Sequence, residues 1–311
     1  MLERYSHYGW SKKDICRKWG ISIKSFYSLK KITPKADTPR RIQLNAITSE
    51  EKGAVISYAL LHTELNHREM SYRMIDEDVA FMSPSSVYRI LKENNLLVQR
   101  GKRNKPERWN PHERLTEPDQ VWQTDLMSIS YGKRDYYFLS YLDVYSRFVV
   151  YYKLLSSMTG DTIREATREA LIETKRTPGV IQSDNGSGYV SSEFRNYLSK
   201  SEIEHRRIHP HCPNENAEIE RYHRTVRELV DPDDADNFAH LHGLFKERID
   251  YYNHRRYHSG IGFITPWSKY NGKGDQILEA RKHKLEKARK KRIKENFEQY
   301  KKEKQKIKEA A

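Results

Sequence analysis

Cysteine is almost missing: Cys16 and Cys212 are the only two in 311 residues, too far apart in sequence to suggest a disulfide framework or a paired-cysteine zinc site. Long apolar runs are missing too. No stretch approaches the roughly 20 residues a helix needs to cross a bilayer, and the N-terminal segment lacks the apolar h-region of a signal peptide. A reducing, cytoplasmic setting without a membrane partner is the expectation. Only 36% of the residues are apolar and 32% are charged, so much of the chain must be solvated surface or segments meeting a polyanion. The length still allows two or three domains and at least one sizeable core.

Acid is outnumbered by base at both ends. The net charge of +14 divides into +9 over residues 1–115, −2 over 116–274 and +7 over 275–311. Basic flanks around a near-neutral middle suit a long polyanion, whose condensed counterions are released as Lys and Arg approach its phosphates. The bland alternative is a basic surface that serves solubility. The motifs decide between the two.

In the N-terminal flank, Ser11 caps a helix that Gly20 closes, and Ile21-Ser22 lead into a second helix, Ile23 to Lys30. Ile15, Trp19, Ile21, Phe26 and Leu29 would pack the pair, leaving Lys24, Ser25 and Tyr27 for a DNA groove. Residues 1–34 therefore read as a helix-turn-helix domain, and the proline-containing residues 35–47 as a linker. Thr48-Ser49-Glu50-Glu51 opens a second helical set over 48–98 with a capping-box signature. Its last helix starts at Ser83-Pro84 and presents Ser85, Ser86, Arg89 and Lys92. Residues 99–115 read as an extended basic arm, with Arg100, Lys102, Arg103 and Lys105 placed to lie on phosphates.

The middle of the chain alternates. Val121–Ser130, Tyr136–Asp143 and Arg147–Leu155 are strand-like, with turns at Gly132-Lys133 and Tyr145-Ser146. A helix over 161–174, a strand over 180–183, a helix over 192–200 and a short strand near 204–208 follow. Three carboxylates stand out in this frame. Asp125 lies within Trp-Gln-Thr-Asp on the first strand, and Asp184 ends Val-Ile-Gln-Ser-Asp just before the turn residues Asn185-Gly186. Glu220 follows 35 intervening residues later, on a helix with Ile219, Tyr222, Val226 and Leu229 on its apolar side. Beyond residue 272 the chain reads as a basic helical tail, 273–311, with apolar residues too sparse for a firm heptad. A mostly solvated helix or a disordered segment is expected there.

Trp-Gln-Thr-Asp, Leu-Asp-Val-Tyr-Ser-Arg, Ser-Asp-Asn-Gly-Ser and Pro-Asn-Glu-Asn-Ala-Glu-Ile-Glu-Arg-Tyr-His-Arg-Thr-Val, in that order, resemble the integrase core of DDE transposases. The likeness covers about residues 116–272 and is to bacterial insertion-sequence transposases, in particular the family named after insertion sequence 3. It implies an α/β, ribonuclease H-like catalytic core, here preceded by two small all-α helix-turn-helix domains. It also implies that Asp125, Asp184 and Glu220 are catalytic and hold two Mg²⁺ ions, for which Mn²⁺ substitutes. Arg224, Arg227 and His223 would hold the element end beside them. Asp143 matches a family position near the metals, but its place after an apolar strand suggests a turn role.

The function expected on this basis is a transposase that cleaves at the terminal repeats of a mobile element and transfers the freed 3′-hydroxyl into target DNA. Its partners would be double-stranded DNA and further copies of itself, a dimer or more, with nucleoid association when bound and no small-molecule substrate. Two alternatives remain: a transposase-derived regulator that binds DNA without catalysis, and a simple ribonuclease H-type nuclease.

Overall fold

The structure is a computed structural model that describes residues 11–30, 43–97, 115–209 and 212–309. The chain divides into two compact units, one of Ile47–Arg292 and one of Met1–Ala46 with Ile293–Ala311.

In the smaller unit, α1 (Lys12–Trp19) and α2 (Ile23–Lys30) follow the punctuation of the sequence. The Ser11 side chain accepts from the Asp14 N–H, and Gly20 ends α1 at φ +62°, a left-handed conformation that glycine adopts without a Cβ clash. Ile15, Cys16 and Phe26 are buried together, with Ile21 against them. The expected roles of Trp19 and Leu29 concern side chains outside the described set.

The larger unit opens with α3 (Ser49–Leu61), α4 (His67–Asp76) and α5 (Pro84–Glu93) around a core that includes Val55, Met74 and Val87. The capping box at Thr48 forms: Glu51 N–H donates to Thr48 Oγ1 at 3.2 Å, and Thr48 N–H donates to Glu51 Oε2 at 3.1 Å.

A five-stranded sheet follows, β1 (Val121–Tyr131), β2 (Arg134–Asp143), β3 (Val149–Leu155), β4 (Val180–Ser183) and β5 (Glu204–Arg207), in the order β3-β2-β1-β4-β5. The first three strands are antiparallel, and β4 and β5 run parallel to β1. Such a sheet needs helical crossovers. They are α6 (Gly160–Thr174), between β3 and β4, and α7 (Ser192–Lys200), between β4 and β5.

Alternation along the strands separates two cores. Trp122, Leu139, Tyr141 and Ile181 pack with Ile163, Ala166, Phe194 and Leu198 of α6 and α7. Met127, Ile129, Phe138 and Leu142 face the other way, against α8 (Ala217–Leu229) and α9 (Phe238–His254), through Ile219, Tyr222, Val226, Leu241, Phe245 and Ile249. Thr265 caps a short helix, α10 (Pro266–Tyr270), whose first position proline suits.

Asp143 closes the β2–β3 connection. Its Oδ2 accepts from Ser146 N–H at 2.8 Å and its Oδ1 from Asp119 N–H at 2.9 Å, so it has the turn role expected. Burial pushes this carboxyl up from 3.8 to about 6, against the hydrogen bonds that favour its charge. A folded-state value above the unfolded one means that the contribution to stability is complete below pH 3.8 and is lost as pH rises through about 6. Asp143→Asn should flatten that part of the profile, read as urea midpoints at pH 4, 5 and 8. A variant that keeps the parent's slope would contradict this assignment.

The tail is one helix, α11 (Gly274–Glu309), mostly exposed as the solvated-helix expectation had it, but with a buried stripe that was not expected: Arg281, Ala288 and Arg292 are 3%, 8% and 7% exposed. Both arginines reach the three-helix module of the same unit. Arg281 donates from Nε and Nη2 to the Asp76 carboxylate at 2.8 and 2.6 Å, and Arg292 Nε donates to Glu51 at 2.8 Å. Among the described residues, no helix is long and apolar enough to cross a membrane.

Candidate active site

The β1–β4 ladder places Gln123 opposite Gln182. Asp125 lies two residues beyond the first and Asp184 two beyond the second, the latter just past the strand end. The two-residue period puts both acids on the sheet face that α8 covers. Glu220 is in the first turn of α8, one residue after buried Ile219, and therefore stands on the margin of the same face.

Each acid is held differently. Asp125 Oδ1 accepts from its neighbour Leu126 N–H at 2.9 Å, and its Oδ2 lies 3.2 Å from His223 Nδ1. Asp184 Oδ1 accepts from Gly186 N–H at 2.9 Å, in the turn that Asn185-Gly186 make; Asn185 fixes it further by donating to the Ile208 carbonyl at 2.8 Å. A Cβ on Gly186 would stand 3.0 Å from Asp184 Oδ1, so glycine keeps this turn tight against the acid. Glu220 is exposed.

The electrostatics tie the three together, with Asp125 in the middle. Burial raises the Asp184 carboxyl, and the Asp125 charge raises it further. Partial desolvation raises Glu220, again with Asp125 adding to the rise, while Arg224 and His223 oppose it. Asp184 and Glu220, both raised by burial with the Asp125 charge adding to the rise, form surroundings that favour added positive charge. Among the described residues, no group of three or more His, Cys, Asp or Glu side chains stands close enough to cage a single ion. The three acids are all oxygen donors, which suits hard cations that retain water and phosphate ligands.

The remaining candidates are dispersed. Arg224 and Arg227 are exposed on α8, four and seven residues after Glu220 and so along its side of the helix. His223, expected beside them at DNA, is only 3% exposed and has other partners: its Nε2 lies 2.8 Å from Ser140 Oγ and its Nδ1 faces Asp125. Glu218 points elsewhere, 3.2 Å from Arg147. Ser85, Arg89 and Lys92 are exposed on α5, whereas Ser86 is half-buried and 3.4 Å from Arg89 Nη2. Lys24 and Tyr27 are exposed on α2, with Lys12 Nζ 3.1 Å from the Tyr27 hydroxyl. The Ser25 side chain, Arg100, Lys102, Arg103 and Lys105 lie outside the described residues.

Comparison with known proteins bears on the same stretch. Two families described as integrase core domains match residues 116–213 and 201–266. The transposase for insertion sequence element IS904 of Lactococcus lactis is 29% identical over 163 residues, covering 51% of this chain and 64% of that transposase. These matches support a DDE transposase with an integrase-type core over residues 116–266. The Gag-Pro-Pol polyprotein of sheep pulmonary adenomatosis virus is 29% identical over 113 residues, 35% of this chain and 6% of the polyprotein. The match thus spans less than two thirds of either relative. The HTLV-2 integrase catalytic core, solved in complex with magnesium, is 21% identical, covering 50% of this chain and 99% of that one at a TM-score of 0.43.

Sequence reasoning did not find the partnership of His223 with Asp125, nor any use for Gln123 and Gln182. Only one signal for the glutamines was available: each stands two residues before an aspartate in a strand.

Proposed function

We propose that the chain is the transposase of an insertion sequence, binding the terminal inverted repeats of its element and joining the element's 3′ ends to target DNA. What supports this reading is that Asp125 and Asp184 share the sheet face that α8 covers, with Glu220 in the first turn of that helix, and that burial, with the Asp125 charge added, raises both Asp184 and Glu220. Asp125 and Asp184 would hold one divalent ion, and Asp125 and Glu220 the other. Two such ions, when bound, activate the attacking oxygen and neutralise charge on the leaving one. Mg²⁺ suits the all-oxygen donors, and Mn²⁺ is expected to replace it.

The chain's own residues do the rest. Ser140, His223 and the Leu126 N–H fix Asp125 in one orientation, and Gly186 fixes Asp184. Arg224 and Arg227, exposed on α8, would hold phosphates of the element end. α2 and α5 would enter grooves as the second helices of two helix-turn-helix modules. In the first step water attacks the phosphodiester at the element end, the P–O3′ bond breaks, and a 3′-hydroxyl leaves. In the second that hydroxyl attacks a target phosphodiester and displaces a target 3′-hydroxyl. Two ends must be joined together, so the working form is at least a dimer.

The test uses duplexes carrying the repeats that flank the reading frame. Mg²⁺-dependent nicking at the 3′ end of the element, followed by joined products, is the expected outcome, with none on a scrambled end. Specific binding without any cation-dependent product would point to the regulator. Cleavage of RNA–DNA hybrids without transfer would point to a nuclease.

A further inference from the structure

The two aspartates sit in the same local pattern, Gln-Thr-Asp on β1 and Gln-Ser-Asp on β4, and the sheet register pairs the glutamines directly. Gln123 is fully buried and Gln182 is 2% exposed. A buried amide is tolerated when its hydrogen bonds are made, and both glutamines make theirs to one place. Gln123 Nε2 donates to the Glu215 carbonyl at 2.9 Å, and Gln182 Nε2 donates to the same oxygen at 2.5 Å. Gln123 Oε1 in turn accepts from the Ile219 N–H at 3.1 Å. Glu215 belongs to the 3₁₀ turn Pro213–Asn216 that leads into α8, and Ile219 is the third residue of that helix.

Helix starts leave N–H groups without intrahelical partners, and a side chain at the cap position ordinarily takes one. Asn216 occupies that position, and among the described residues its side chain makes no such bond and its buried Oδ1 has no partner. The cap comes instead from Gln123, across the sheet. The start of the helix is thereby referenced to the two strands that carry Asp125 and Asp184 and not to its own preceding residues. Glu220 is the next residue after Ile219.

We infer that Gln123 and Gln182 are positioning residues that set Glu220 at a fixed distance from Asp125 and Asp184. This rests on the proposed role of the three acids. The apolar seat of α8, through Ile219, Tyr222 and Val226, and the Arg147–Glu218 ion pair hold the helix on the sheet independently. Removing the amides therefore costs registration more than folding. A misplacement near 1 Å is enough to cost about 10²-fold in rate.

The experiment compares the full-length parent with Gln182→Met, Gln123→Met and Gln123→Glu, and with Asp125→Asn as reference. Methionine keeps the volume and removes the amide. Mn²⁺ affinity is measured by titration without DNA, melting temperature with and without Mn²⁺, and kcat and KM on an element-end duplex. The methionine variants should melt within a few degrees of the metal-free parent and keep their KM. They should bind Mn²⁺ roughly 10-fold more weakly and lose about 10²-fold in kcat. Gln123→Glu, which keeps an acceptor for Ile219, should retain more of both than Gln123→Met. Should Gln123→Met not fold, Gln182→Met, in which the Ile219 bond is intact, decides the matter. Parent-like Mn²⁺ affinity and kcat in that variant overturn the positioning role. A parent that binds Mn²⁺ no better than Asp125→Asn shows that the carboxylate site itself is misassigned.

Discussion

Asp184→Asn is expected to leave terminal-repeat binding intact and to abolish strand cleavage, by about 10³-fold or more. That is the several kcal/mol a bound cation contributes to the transition state. The folded chain should not suffer. Asp184 is raised by burial and by Asp125, so its ionised form is the costly one in the cation-free protein. Asparagine removes that cost and keeps an oxygen for the Gly186 N–H, which the carboxylate now accepts at 2.9 Å. Melting temperature should therefore stay level or rise slightly while activity disappears, a separation that a destabilised mutant cannot imitate. Gel-shift affinity, thermal melts and a Mg²⁺ cleavage assay on one preparation check it. Cleavage within a few-fold of the parent would remove Asp184 from the site.

The same residue explains why the core was legible in the sequence. Asn185-Gly186 and Gly132-Lys133 mark turns by chemistry that few other pairs supply; Gly132 and Lys133 adopt φ +57° and +64°. β4 over Val180–Ser183 and α7 over Ser192–Lys200 fall where the apolar pattern put them. Both are short elements with clear breakers on either side, β4 buried throughout and α7 through Phe194 and Leu198. The acids then follow from their elements, since a strand fixes which face a side chain takes and a helix fixes which turn.

What sequence could not give were contacts made by polar residues in apolar places. His223 lies between two arginines on α8 and reads as part of a basic, DNA-facing stripe. Only the packing of α8 on β2 shows that its ring faces Ser140 and Asp125. Gln123 and Gln182 carry no periodic signal, because a buried glutamine looks in sequence like a polar interruption of a strand. In the tail, the positions facing inward are Gly274, Leu278, Arg281, Leu285, Ala288 and Arg292, alternating steps of four and three until the last. That is a helix seam, and it was missed because two of its members are arginines.

Those arginines carry the second large effect. Arg281 makes four hydrogen bonds through its guanidinium: two to Asp76, one from Nη1 to the Gly262 carbonyl at 2.9 Å and one from Nη2 to the Phe263 carbonyl at 2.8 Å. Tyr257 adds a hydroxyl to Asp76 at 2.6 Å, and the Tyr72 ring lies under the guanidinium at 4.8 Å. Arg281→Leu would leave the partly buried Asp76 carboxylate with the Tyr257 hydroxyl but no cation, and take a donor from two carbonyls at once. A loss of about 3–5 kcal/mol in the unfolding of the Ile47–Arg292 unit is expected, well above any surface ion pair. Asp76→Leu with Arg281→Leu should recover part of it, because neither charge is then left alone. Urea denaturation of the parent, the single variant and the pair measures both values. Amide exchange across α3 to α5 adds the structural reading: protection should fall there first if the tail helix holds that module in place. A single variant within about 0.5 kcal/mol of the parent would show that α11 merely lies alongside the module.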